Sequence, residues 1–502
     1  MLYATRRGIG VSPDSTVYLG AARNLLRGLG LSALDGSSLE LVPLTHYPPL
    51  FSLLLAAPGL FDIDPLPAAR WTNSLIFGCN IFLVGFVVKS YARESFWLPV
   101  CGAFLCFIST DLLEIHSMAW TEPPFILFSL AGLLLLALYF EKRRRRFLLA
   151  AALFLALGWL TRYVGVTLVA TGFAGILLFD SKNFRKRLFD AMLFAAVASV
   201  PMALWMLRSY FATGGATDRE IGFHPIRLHH VAAALSTVST WLLVGRTRGD
   251  VRMIVFSVEA ILLLGLGFLL VRDYLKRAER RTVNRAFSKL PHLLALFILF
   301  YLSFLVFTIT FVELDTVLDE RLLAPAHTLG LALVLCLVHR LWPAAERKNY
   351  LRLALIALAL MLSGTHLVRA ANWTRHRSGD GRGYTSRTWQ QSQTIARVKA
   401  LPPDTLIYTN GYDAIYFLTG RHALIVPQEI IHGTGQVNAN YSNEIGLMRE
   451  QLDRHNGVLV YFYGLSERWQ LPAEEELREQ LKLRPVAREN DGAVYIRDEE
   501  KR

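Results

Sequence analysis

The sequence predicts a polytopic α-helical membrane domain with a small soluble α/β domain at its C-terminal end. Three observations carry that prediction. Of 502 residues, 53% are hydrophobic and only 19% charged, and the mean hydropathy is +0.35. That is too apolar for a water-soluble globule of this length. Several apolar runs approach or exceed the ~17 residues that cross a bilayer. After residue 369 the composition turns polar and short alternating segments replace the long runs.

The first element is SPDSTVYLGAARNLL (12–26). Ser12 suits an N-cap, Pro13 the first helical position, and Asp14 the first turn at the positive end of the dipole. YPPLFSLLLAAPGLF (47–61) is short and rich in proline, which suits an interfacial helix better than a span. Residues 1–67 form one loop. Spans are expected at 68–89, 97–116, 121–140, 147–161, 164–180, 188–208, 252–271, 291–311, 322–342 and 351–368, about ten helices in all. The domains are therefore 1–67, 68–369 and 370–502.

The connections alternate in charge. KSYAR (89–93), EKRRRR (141–146), SKNFRKR (181–187), residues 272–289 and RLWPAAERKNYLR (340–352) are densely basic and should face the cytoplasm. The other connections carry most of the acids near the membrane and should face outside. The C-terminal domain falls on that same exoplasmic side. The net charge of +13 is thus an orientation signal, and no nucleic-acid module is present. A bacterial inner membrane suits this organisation. An exoplasmic 1–67 needs something to carry it across, and no apolar segment precedes it. The expectation is a first helix missing from the N-terminal end.

WTRHRSGDGRGYTSRTWQQ (373–391) reads as a linker. TLIYT (405–409), ALIVP (423–427), GVLVYFY (457–463) and AVYI (493–496) read as strands, with helices at DAIYFLTG (413–420) and AEEELREQL (473–481). The four cysteines lie inside apolar spans and suggest packing, not metal or disulfides.

Ionisable groups at a membrane face are costly and usually functional. Asp14, the group Asp111, Glu114, His116 and Glu122, then Arg162, and finally Asp315, Asp319, Glu320 and Arg321 all fall on the predicted outer face. Each has a plain reading, as a helix-start acid or a snorkelling cation. Together they suit transfer of a sugar from a lipid phosphate. A carboxylate takes the acceptor proton, and arginines hold the departing phosphate. No His/Cys cluster suits a metal, and His224, His229 and His230 read as surface residues. An acid pair could still hold Mg²⁺ or Mn²⁺.

The ordered set PDSTVYLGAARNLL (13–26), THYPPLFSLLLA (45–56), HSMAWTEPPFILF (116–128), LGWLTRYVGV (157–166) and DERLLAP (319–325) resembles the GT-C membrane glycosyltransferases. That group includes protein O-mannosyltransferases and the lipid A aminoarabinose transferase. The resemblance covers roughly residues 10–370. It implies an inverting transfer from a polyprenyl-phosphate monosaccharide to a lipid, glycan or protein acceptor, within membrane lipids. It assigns Asp14 as general base, Glu122 as the second acid, and Arg162 and Arg321 as phosphate ligands. Tyr18, His46, Tyr47 and Tyr163 stand in the same motifs and are expected to line the substrate. One departure is that Tyr47 precedes Pro48-Pro49 where some relatives carry lysine, so His46 or Arg162 would supply that cation. A transporter would instead show polar groups at mid-bilayer and paired repeats, and neither is present. A non-catalytic scaffold would not need Asp14 and Glu122 together.

Overall fold

The computed structural model describes residues 1–217, 219, 221–241, 253–254, 257, 261, 265, 287–313, 316–346, 349–431, 433–465 and 468–498. Most of the expected span 252–271, the following basic connection up to residue 286, and Asp315 lie outside the described residues.

Helix α1 runs Pro13–Leu26, started as its sequence suggests: Ser12 Oγ accepts from the Ser15 amide at 3.4 Å. A two-stranded ribbon, β1 (Ser32–Ala33) with β2 (Val42–Pro43), follows. Helix α2 (Leu50–Ala56) and a 3-10 turn (Ala57–Phe61) make up the short proline-rich segment. Its Phe51 and Leu55 pack on Tyr18, Leu19 and Ala22 of α1. Asp64 then caps α3 (Pro65–Tyr91) and pairs with Arg23 of α1 at 2.9 Å.

The expected span 97–116 is broken into α4 (Trp97–Ile108) and α5 (Thr110–His116), bent by 59°. Ser109 has an extended backbone and its hydroxyl caps Leu112. A capping side chain competes with helix continuation, and that ended the run which hydropathy alone joined. Helices α6 (Glu122–Lys142), α7 (Arg145–Thr161), α8 (Val166–Phe179) and α9 (Phe184–Thr213) follow. After them come α10 (Leu228–Ser239), α11 (Leu290–Phe311), α12 (Glu320–Glu346) and α13 (Asn349–Asp380). Among the described residues, five helices are long and apolar enough to span a membrane, or six if the bent pair counts as one. The protein is a multi-pass membrane protein. Its apolar core joins α3 through α9 with α11 and α12.

At the basic side, Tyr139 donates to Asp180 and Asp190 at 3.0 and 2.8 Å, while Lys182 pairs with Asp190 and Arg143 with Asp180. This network ties the ends of α6, α8 and α9 together.

The linker expected at 373–391 is different. Helix α13 continues to Asp380, because Trp373 Nε1 bonds Glu114 at 2.9 Å and Arg377 lies beside the same carboxylate. Tertiary partners there outweigh the weak helix propensity of the glycines and serines. Beyond it come α14 (Arg387–Gln390), α15 (Gln393–Ala400), β3 (Ile407–Thr409), α16 (Tyr412–Thr419), β4 (Leu424–Ile425) and α17 (Tyr441–Arg454). The chain closes with β5 (Val458–Phe462), α18 (Glu474–Leu481), β6 (Leu483–Arg488) and β7 (Gly492–Arg497). The sheet order is β4-β3-β5-β7-β6, with β3 parallel to β4 and β5, and β7 antiparallel to both neighbours. Strand β6 has no strand-like alternation in sequence because LRPVAR carries a proline and two arginines on an edge strand, where both are tolerated.

This domain is held to the first loop. Ile425 N donates to Gly36 O at 2.9 Å and Tyr384 N to Val11 O at 2.8 Å. Tyr384 Oη bonds Asp413 at 2.6 Å, and Arg468 pairs with the same carboxylate at 2.7 Å.

Candidate active site

Asp14 sits in the first turn of α1. Its position is fixed from below: Trp120 Nε1 donates to Ser12 Oγ at 2.8 Å, and across the same seam Gly10 N donates to Ser117 O at 2.8 Å while Gly10 O accepts from Ala119 N at 2.9 Å. Glu122 opens α6, where Pro123 and Pro124 occupy positions that need no intrahelical donor. Arg162 ends α7 in extended backbone, φ −150° and ψ 138°. Arg321 lies in the first turn of α12.

These four residues from four elements meet. Arg321 is the hub: Nη2 donates to Asp14 Oδ2 at 2.6 Å and Nε to Glu122 Oε1 at 2.6 Å. Arg162 Nη1 reaches the same Glu122 oxygen and also Thr121 Oγ1 at 3.2 Å. Two carboxylates thus balance two guanidiniums. Accessibility separates the acids: the Asp14 side chain is 26% exposed and that of Glu122 is fully buried. Of the two acids, only Asp14 reaches the surface. Glu122 acts beneath it, on the two arginines.

Tyr47 Oη donates to Asp14 Oδ1 at 2.8 Å. The Tyr18 ring meets Tyr47 edge-on at 4.8 Å, and His46 packs on Tyr47 at 4.5 Å. Tyr163 Oη bonds Thr45 O at 2.7 Å, bracing the loop that carries His46 and Tyr47. Burial pushes the Asp14 carboxyl up, but Arg321 and the Tyr47 hydroxyl outweigh it and hold the group below the usual carboxylate range. Burial and the Asp14 charge push the Tyr47 phenol well above its ordinary value. Tyr47 therefore keeps its proton and remains a donor to Asp14.

Other expected members stand apart. His116 is buried between Asn80 Nδ2 at 3.1 Å and Leu112 O at 2.7 Å, a structural role. Asp111 faces His327 at 3.6 Å and Arg369 at 4.0 Å. Glu114 pairs with Arg382, Asp319 caps Leu322, and Glu320 is exposed. The surface reading of the loop histidines fails for two of them. His224 and His230 are buried, and His230 Nδ1 accepts from Arg227 N at 3.0 Å, filling an orphan donor at the start of α10. Trp120 was missed: the Arg321 guanidinium lies 4.5 Å from its ring centre and Arg382 5.5 Å. The available signal was an aromatic two residues before the acid, in an outer turn.

Among the described residues no group of three or more His, Cys, Asp or Glu side chains is placed to hold a metal. Asp14 and Glu122 share a guanidinium and do not form an oxygen cage, so this pair does not fit Mg²⁺ or Mn²⁺.

No family model and no curated protein matches the chain. Solved structures do. ArnT from Cupriavidus metallidurans in the apo state aligns over 98% of this chain and 95% of its own, at TM-score 0.56 and 12% identity. The oligosaccharyltransferase of Archaeoglobus fulgidus, in complex with Zn and sulfate, aligns over 97% and 69%, at 0.53 and 13%. The mycobacterial arabinofuranosyltransferase AftD aligns over 99% of this chain and 38% of its own, at 0.55 and 13%. The chain has the GT-C fold of these membrane glycosyltransferases, with the small mixed sheet at its C-terminal end.

Proposed function

We propose that the protein is a membrane glycosyltransferase that moves a monosaccharide from a polyprenyl-phosphate carrier to an acceptor hydroxyl at the exoplasmic face. The observation that carries this is the charge-balanced group Asp14, Arg321, Glu122 and Arg162, drawn from four distant segments, with Asp14 and the two arginines partly exposed and Glu122 fully buried. The fold supports the class, and ArnT of the same fold has been solved with undecaprenyl phosphate, at TM-score 0.51 and 12% identity.

In this reaction the acceptor oxygen attacks the anomeric carbon as the bond from that carbon to the phosphate oxygen breaks. The acceptor proton passes to the Asp14 carboxylate. The bonding electron pair leaves with the polyprenyl phosphate, whose growing charge faces Arg321 and Arg162. A single displacement from the opposite face inverts the anomeric centre. Tyr47 orients the base through its 2.8 Å bond, and Tyr18, His46 and Tyr163 shape the loop around it. Glu122 positions both guanidiniums while remaining out of reach of substrate.

Asp14→Asn tests the assignment. Asn keeps the size and the helix-start position but loses the charge facing Arg321, so folding should change by about 1–3 kcal/mol, and turnover is read per folded protein. Turnover of a radiolabelled undecaprenyl-phosphate sugar should fall about 100- to 10,000-fold. Transfer at the parent rate by folded Asp14→Asn protein would remove Asp14 from the chemistry.

A further inference from the structure

The end of α13 and the turn after it form a cleft of about 470 Å³ that the proposed transfer does not use. Arg377, Arg382 and Arg387 line it, with Ser386, Thr388 and Asp380. Gly381 and Gly383 make the turn at φ +71° and +55°. A Cβ on Gly383 would stand 2.0 Å from Val11 O, so only glycine lets the turn press against the chain there. The next residues bond back to that same chain, Tyr384 N to Val11 O and Thr385 Oγ1 to Ile9 O, each at 2.8 Å. Val11 stands three residues before Asp14, so the cleft is fixed to the segment that carries the base.

Cations outnumber the acids around it. Asp380 is taken by His376 at 3.0 Å. Glu114 pairs with Arg382 and lies 3.8 Å from Arg377. Arg377 Nε is buried and makes no hydrogen bond to a described residue. Arg387 is exposed and has no ion pair among the described residues. Trp120 links the cleft to the active site, because Arg382 and Arg321 both lie against its ring.

The geometry points to a second phosphate-binding site, formed by Arg377, Arg382 and Arg387 and separate from the arginines proposed for the donor phosphate. Planar guanidiniums take phosphate oxygens two at a time, and Ser386 and Thr388 add hydroxyl donors. As an acceptor site it rests on the glycosyl-transfer proposal, and it makes the acceptor a phosphate-bearing molecule whose hydroxyl reaches Asp14. A phospholipid headgroup offers the same chemistry.

The test uses the full chain in phosphatidylcholine nanodiscs, with saturating undecaprenyl phosphate to occupy the donor site. Inorganic phosphate is then titrated by calorimetry. Saturable binding is expected, weakened at least about tenfold in Arg387→Glu and in Arg377→Gln, with Arg387→Lys between. Arg387 has no ion pair among the described residues to lose, so its variants should fold, and circular dichroism checks that they do. Absence of saturable binding, or equal binding by the parent and Arg387→Glu, overturns the site. Repeating the titration in phosphatidylglycerol nanodiscs separates the sources. Competition there makes the ligand a bilayer headgroup, and unchanged binding makes it a phosphate on a separate acceptor. If undecaprenyl phosphate fails to bind while phosphate still binds through Arg387, the donor is wrong and the cleft stands. The converse result sinks the cleft alone.

Discussion

Replacing Glu122 by Gln separates the two tasks of the buried charge group. The substitution is isosteric, so it opens no cavity. It removes one of two negative charges that face two guanidiniums, leaving an excess of one positive charge. Arg321 retains Asp14 at 2.6 Å, but Arg162 is left with Thr121 Oγ1 at 3.2 Å and one amide oxygen. Breaking a buried pair costs about 3–5 kcal/mol. The amide oxygen still accepts one hydrogen bond and recovers about 1 kcal/mol, and partial exposure of both arginines lowers the figure further. The expected loss is about 1–3 kcal/mol, read as a fall of a few degrees in the unfolding temperature. A bound phosphate should neutralise the excess cation. Undecaprenyl phosphate should therefore raise the unfolding temperature of Glu122→Gln more than that of the parent, by mass action on a tighter site. The assay is thermal unfolding in detergent, with and without the lipid. A variant as stable as the parent would mean that Glu122 does not compensate the arginines. An equal or smaller lipid effect would mean that the phosphate does not lie on them.

The pH dependence of transfer should follow Asp14. Its folded carboxyl lies below the usual range, so it stays ionised as pH falls past ~4, where a free Asp protonates. Its contribution to stability is present above the unfolded pKa and is lost as pH falls through the folded one, and a pH–rate profile with its acid limb above about 6 contradicts the assignment of Asp14 as the base. Alkaline phosphatase fused after Asp404 should be active, reporting an exoplasmic C-terminal domain, whereas activity only of a cytoplasmic reporter at that site would reverse the orientation. Tyr384→Phe removes the 2.6 Å bond to Asp413 and should cost about 1 kcal/mol or slightly more, seen as earlier proteolysis of the C-terminal domain; unchanged proteolysis would show that the Arg468 pair suffices to hold Asp413.

Much of the architecture was legible because the bilayer makes each span announce itself. A run such as 291–311 is readable from its own residues, since lipid demands an apolar exterior and the helix satisfies its own backbone. Where a local side chain or a distant partner decided the backbone, hydropathy failed. Ser109 broke one run, and Glu114 extended another helix to Asp380 through Trp373 and Arg377.

The site divides in the same way. Asp14, Glu122, Arg162 and Arg321 were each visible, because charge near a membrane face stands out against apolar surroundings. Their one-sided placement followed from the alternation of basic loops. The sequence could not rank them, since exposure is a property of the packed molecule: Asp14 reaches solvent and Glu122 does not. Nor could it show that Arg321 joins both acids, that Trp120 links Arg321 to Arg382, or that a supposed linker brings three arginines beside the first loop. Composition and periodicity fix elements that satisfy themselves locally; contacts between residues 199 positions apart, like Glu122 and Arg321, exist only once those elements have packed.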